Sequence, residues 1–230
     1  MTTPPRVLVL VSTAGQDDLL RVCLDSLAWY APQAEVRVIR NAPGDARNHA
    51  NGIETTRSGG LPASEIIVLF DDDACVLSHE WLHTLLEEFK DPDLGAWGAD
   101  TGHGVLHASC LAMRREIFDA VPTFHADWTR EHRGARRDTA GPACDWMRAQ
   151  GYDLIGLRGR HTARGVEYGV PSVWPQPLWV HLGSGTGGPG RWWKRWAYAK
   201  RRRRYLEAAR AHGAFQHGRW HDARGVEDHR

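Results

Sequence analysis

Glu65-Ile66-Ile67-Val68-Leu69-Phe70-Asp71-Asp72-Asp73 is the stretch that decides the fold. Five successive apolar residues read as a buried strand, and the run ends directly in three carboxylates. Upstream, residues 6–11 (Arg-Val-Leu-Val-Leu-Val) form a second such run, closed by Ser12-Thr13-Ala14-Gly15. Residues 16–30 place Leu19, Leu20, Cys23, Leu24 and Leu27 on one helical stripe. Residues 35–39 alternate as a strand, and Asp45 is positioned to cap a helix reaching about Thr56. Downstream, Ser78 opens a helix with Trp81, Leu82, Leu85, Leu86 and Phe89 on one face, stopped by Asp91-Pro92. Strands alternating with helices predict a three-layer α/β/α sandwich around a mostly parallel sheet.

The second half is less regular. Residues 105–113 read as a strand, 114–120 as a short helix and 138–150 as a longer one. Residues 170–191 carry too many prolines and glycines to stay regular, and 192–211 return to helix.

In open α/β sheets, ligands sit beyond the carboxyl ends of the strands, where the three aspartates fall. Adjacent carboxylates repel one another unless a cation offsets them. Mg²⁺ and Mn²⁺ take oxygen ligands and are commonly shared with substrate phosphates. With the backbone extended, Asp71 and Asp73 point to one side and address one metal–diphosphate unit. The plain alternative is an acidic turn that caps the next helix.

Other chemistries compete for the same residues. Asp71-x-Asp73 after a strand is similar to the nucleophile loop of haloacid-dehalogenase-type phosphatases. That reaction also needs a downstream lysine and a further acidic pair. The only lysines are Lys90, Lys194 and Lys200, and no GDxxxD-like string follows. His79-Glu80-Trp81-Leu82-His83 matches HExxH, the zinc-protease signature, but the apolar stripe of its helix turns both histidines towards solvent. The loop at 12–18 lacks GxGxxG and carries Asp17 and Asp18, the wrong charge for a pyrophosphate at a helix terminus.

Composition bounds the rest. At 230 residues, 42% hydrophobic and 25% charged, the chain suits one ordinary globular domain with an appendage. Cys23, Cys75, Cys110 and Cys144 are dispersed and no secretory signal is legible, so a reducing, cytoplasmic setting is expected. No apolar run approaches the roughly eighteen residues of a membrane span, so a soluble chain is expected. The net charge of +1 conceals an asymmetry: residues 191–204 hold eight basic side chains and no acidic one.

Taken in order, these segments resemble family 2 of the glycosyltransferases, the inverting GT-A enzymes. Val9-Leu10-Val11-Ser12-Thr13, followed by Leu20-Arg21-Val22-Cys23-Leu24-Asp25-Ser26-Leu27, is similar to the family's opening strand, nucleotide loop and first helix. Asn41-Ala42-Pro43-Gly44-Asp45-Ala46-Arg47-Asn48 resembles its donor-binding segment, and residues 66–73 its metal-binding strand. Asp91-Pro92-Asp93-Leu94-Gly95-Ala96 and Ala112-Met113-Arg114-Arg115-Glu116-Ile117-Phe118 match later stations. Arg137-Asp138-Thr139 resembles the start of the helix that carries the general base. Trp179-Val180-His181-Leu182-Gly183-Ser184-Gly185-Thr186 is similar to the late metal-ligand histidine and its loop.

The resemblance implies a GT-A-like catalytic domain over 1–187, with a nucleotide-binding half at about 1–100 and an acceptor half at about 101–187. A basic, tryptophan-rich helical tail over 188–230 would follow it. It implies nucleotide contacts from Ser12, Thr13, Arg47, Asn48, Asp71 and Asp72, and Mn²⁺ or Mg²⁺ held by Asp71, Asp73 and His181. Asp138 would take the proton from the acceptor hydroxyl, although arginine precedes it where the family often has glutamate. Asp127, Glu131 and Asp145 are alternative bases. Ala14-Gly15-Gln16 also departs from the family's Tyr-Asn pattern and leaves the nucleotide open. The partners expected are a nucleotide-diphosphate sugar and a hydroxyl acceptor. Through residues 191–204 that acceptor could be a nucleic acid or a membrane-associated polyanion. A nucleic-acid-binding protein acting through the same tail is the non-enzymatic alternative.

Overall fold

The computed structural model of the protein describes residues 6–41, 46–100, 105–125, 139–159, 167–170, 177–182 and 192–211, with backbone alone at 46–48, 158–159, 167–170 and 192–198. In chain order the elements are β1 (Val7–Thr13), α1 (Asp17–Tyr30), β2 (Glu35–Arg40), α2 (Ala46–Ser58), β3 (Ile66–Asp71), β4 (Ala74–Val76), α3 (Glu80–Glu88) and β5 (Leu94–Asp100). They continue with β6 (Leu106–Arg114), α4 (Arg115–Ala120), α5 (Gly141–Ala149), β7 (Asp153–Gly159), β8 (Glu167–Val170), β9 (Trp179–His181) and α6 (Trp192–Ala211).

The apolar runs become central strands because both of their faces are covered. Val7, Val9 and Val11 of β1 pack with Leu20, Cys23 and Leu27 of α1 and with Trp81 and Leu85 of α3. Leu8 and Leu10 face the other way, into a cluster with Ala50 and Ile53 of α2, Ile117 and Phe118 of α4, and Cys144 and Met147 of α5. Helices on both sides of one sheet give the expected three layers. Burying a side chain of this size stabilises by about 1.5–3 kcal/mol, so two such clusters dominate the energetics.

The strand order is β2-β1-β3-β6-β5-β7-β8-β9-β4. Strands β2, β1, β3, β5, β7 and β9 run one way, and β6, β8 and β4 run against them, so direction is mostly shared. β4 follows β3 after a two-residue turn, yet it lies at the opposite end of the order, paired with β9. The sheet therefore curls round until its last strand returns to the end of β3. A break in register between Gly98 and Ala99 bends β5 within this curl.

α6 is seated on this body. Tyr205 and Ala209 are fully buried in a cluster with Leu19 and Val22 of α1, Cys75 of β4 and Val180 of β9. Arg202 pairs with Asp18 in the first turn of α1. The boundary expected at 187/188 and the chain beyond 211 lie outside the described residues. No described helix is long and apolar enough to cross a membrane.

Candidate metal and nucleotide site

Three backbone ties build the site. The β1–β3 ladder pairs Ser12 with Asp71, so the loops after both strands emerge together. Asp72 N–H donates to the Ser12 carbonyl at 3.0 Å, which carries the β1–β3 pairing up to the aspartates. β4 then pairs with β9 in a register that sets Ala74 opposite His181, and Leu182 N–H donates to the Asp73 carbonyl at 3.0 Å. His181 thus meets the aspartates across a gap of more than a hundred residues of sequence.

His181 Nε2 lies 3.1 Å from Asp73 Oδ1 and 3.8 Å from Asp71 Oδ2. One ligand atom from each residue fits within 4.8 Å of the other two, and no other such histidine, cysteine and carboxylate cluster occurs among the described residues. Asp73 and His181 are buried and Asp71 is partly open. The donor set of two carboxylate oxygens and one imidazole nitrogen fits a divalent ion such as Mn²⁺. Burial alone would raise the Asp73 carboxyl, but His181 beside it overrides this and holds the group below the usual range.

The backbone does not stay extended across the aspartates; it turns at Asp72 and Asp73. Asp71 and Asp73 still converge, because β4 folds back beside β9. Asp72 points elsewhere and accepts a 2.5 Å hydrogen bond from Thr13 Oγ1. Burial pushes its carboxyl up to about 7, with Asp73 and Asp71 adding to the rise and the Thr13 hydrogen bond opposing it.

The remaining expected residues fall as follows. Thr13 Oγ1 also accepts the Gly15 N–H at 3.1 Å, and Gly15 takes a φ of 94° that favours glycine. Ser12 Oγ accepts from Asn41 Nδ2 at 2.7 Å, tying the loops after β1 and β2 together. Arg47 and Asn48 lie in the first turn of α2, with their side chains outside the description. Asp138, Asp127 and Glu131 lie outside the described residues, and α5 begins at Gly141 rather than at Asp138. Asp145 sits on α5, paired with Arg148 at 3.8 Å and apart from the cluster.

His83 is exposed on α3, as its wheel position requires, and His79, the residue before the helix, is exposed and packs edge-on against Tyr30. The four cysteines are buried. Burial raises the thiols of Cys23, Cys110 and Cys75, the last to about 12, which makes them poor nucleophiles.

Two histidines escaped the sequence reading. His49 Nε2 lies 3.6 Å from Asp71 Oδ1. Its position beside Ala50 and four before Ile53, both on the buried face of α2, was the available signal. The His107 ring lies 5.3 Å from that of His181. Its Nδ1 accepts the Ser109 N–H at 3.0 Å, so a neutral His107 carries its proton on Nε2. Its strand is buried on both faces, so alternation could not single it out.

No protein-family model and no curated protein sequence matches the chain. Solved structures do. The mannosyltransferase PcManGT from Pyrobaculum calidifontis, in complex with GDP-Man and Mn²⁺, superposes with a TM-score of 0.53 at 20% identity, covering 67% of this chain and 55% of that one. The present chain thus spans about half the length of that protein. The catalytic domain of Drosophila beta1,4-galactosyltransferase 7, in complex with xylobiose, matches at a TM-score of 0.49 and 15% identity, covering 86% of this chain and 80% of that one. The first likeness establishes a shared fold, the GT-A-like α/β sandwich.

Proposed function

We propose that the protein is a glycosyltransferase that uses a nucleotide-diphosphate sugar and Mn²⁺ or Mg²⁺ and inverts the anomeric centre, as in family 2. The observation that carries this is the convergence of Asp71, Asp73 and His181 at the carboxyl edge of the sheet. That fold is shared with a mannosyltransferase solved with GDP-Man and Mn²⁺. Asp71, Asp73 and His181 would hold the cation, which when bound offsets the charge of the leaving diphosphate. The loop of Ser12 to Gly15 follows β1 at the same edge, and Arg47 and Asn48, in the first turn of α2, are the residues assigned to the donor.

In the reaction the acceptor oxygen forms a bond to the anomeric carbon as the bond to the diphosphate oxygen breaks. The nucleoside diphosphate leaves with that electron pair, and the hydroxyl proton passes to a carboxylate, assigned to Asp138. General-base assistance of this kind is worth about 10²–10⁴ in rate. The experiment is a thermal-shift screen of nucleoside diphosphates and nucleotide sugars with and without Mn²⁺, since native-state ligands stabilise by mass action. A metal-dependent rise with one nucleotide class is expected; no rise with any nucleotide in Mn²⁺ or Mg²⁺ defeats the reading.

The acceptor is read as polyanionic, because α6 turns Lys200 and Arg203 outward while its inner face is taken up by the body. Charge reversal at both positions should flatten the salt dependence of acceptor binding and spare donor hydrolysis. Unchanged salt dependence would make α6 a structural helix only.

A further inference from the structure

We infer that His49 is a positioning residue for Asp71, fixing which carboxylate oxygen faces the cation. Asp71 lies between two imidazoles: Oδ2 is 3.8 Å from His181 Nε2, and Oδ1 is 3.6 Å from His49 Nε2. The two oxygens therefore have different partners. Oδ2 faces His181, a member of the cluster that fits a cation, while His49 stands outside that cluster.

His49 Nε2 is buried and has no hydrogen-bond partner among the described residues. A buried polar nitrogen left unpaired is costly, and among the described residues its ion-pair partner is Asp71 Oδ1. A cation held by Oδ2 would turn the carboxylate about its terminal torsion, which is broad and soft. A shift of a few tenths of an ångström then brings Oδ1 within hydrogen-bond range of Nε2–H. The same contact satisfies the imidazole and locks the ligand, as outer-shell partners do in metal sites.

The placement is built in rather than incidental. His49 lies in the first turn of α2, whose Ala50 and Ile53 are buried against β1 and β3. Gly52 lets this helix close on the end of β2, where a Cβ would stand 1.9 Å from Asn41 Oδ1 and 2.7 Å from Ile39 Cγ2. The helix thus cannot withdraw His49 from Asp71 without losing that packing.

This assignment rests on the metal-dependent reading of the site, and the two fail differently. The probe is Mn²⁺ alone, titrated into the full chain and followed by the EPR signal of free Mn²⁺, with no turnover required. His49→Ala is expected to weaken Mn²⁺ binding about 10–100-fold. His49→Gln, whose amide nitrogen reaches the place of Nε2, should restore most of it. Melting temperatures without metal should be alike for both variants, which separates positioning from folding. If the wild type binds no Mn²⁺, the metal reading itself falls. If the wild type binds and His49→Ala binds equally well, or if His49→Gln is as impaired as His49→Ala, the positioning role is overturned.

Discussion

The site joins two unequal parts of one sheet. Asp71 ends β3, a strand of six residues paired on one side with β1 and on the other with β6. His181 ends β9, three residues long, supported by the short strands β8 and β4. Opening free energies within a domain run from near zero in thinly supported segments up to the global value in core strands. Asp71 is thus held by the part expected to open last, and Asp73 and His181 by the part expected to open first. Binding at this site stabilises the short edge more than the centre.

The sharpest break in this comparison removes a carboxylate. Asp73→Ala should abolish metal-dependent sugar transfer, while the chain without metal still folds, with a melting temperature lowered by loss of the buried contact to His181. The loss of Mn²⁺ affinity should exceed the ~10–100-fold typical of an outer-shell partner. Tight nucleotide-sugar binding in EDTA, unchanged by the substitution, would show that no metal is needed.

Next in size comes the support of the edge. Tyr205 is completely buried between α6, α1 and β4, so Tyr205→Ala should cost about 3–5 kcal/mol in denaturant unfolding. An unaltered transition would mean that α6 is a detachable appendage. Tyr205→Phe refines the point: the hydroxyl is buried with no partner among the described residues, so its removal should be neutral or stabilising by about 1 kcal/mol.

The centre has its own probe in Gly98, where a Cβ would lie 2.1 Å from the Cys110 carbonyl oxygen. Backbone cannot swing aside as a side chain can, so Gly98→Ala should destabilise by about 1–3 kcal/mol, seen as a lower melting temperature. The smallest effect is expected at Arg202, whose partner Asp18 is more than half exposed. Arg202→Ala should cost less than about 1 kcal/mol, and even less at high salt.

These regions also differ in how plainly the chain announces them. β1 and β3 are legible as runs of valine, leucine and isoleucine, because strands covered on both faces need apolar side chains throughout. β5 and β7 are not, since Gly95, Gly98 and Gly156 lower strand propensity. Those glycines are there because Tyr152, Cys110 and Asp100 approach too closely for a Cβ. β9 is three residues long, shorter than any periodicity can register. The aspartates could be placed at a strand end, but their turn could not be foreseen, because it depends on the distant pairing of β4 with β9. His181 was reached only through family resemblance. His49 had only its place on the buried face of α2 to mark it, and His107 had neither resemblance nor an isolated periodic position.

The return of β4 to the end of β3 gives the molecule an order of assembly. β1, β2 and β3 can pair once about the first seventy residues have been made, since their partners are local in sequence. β4 leaves the ribosome directly behind them but must wait for β9, more than a hundred residues later, before its edge is satisfied. During that interval the aspartates stand without their histidine, and a cation would find two of its three protein ligands. A nascent or clipped chain lacking β9 would keep the look of the sandwich but bind the ion poorly. On the proposed reading, affinity for the metal would act as a receipt for the closed sheet, issued only when β9 has come home.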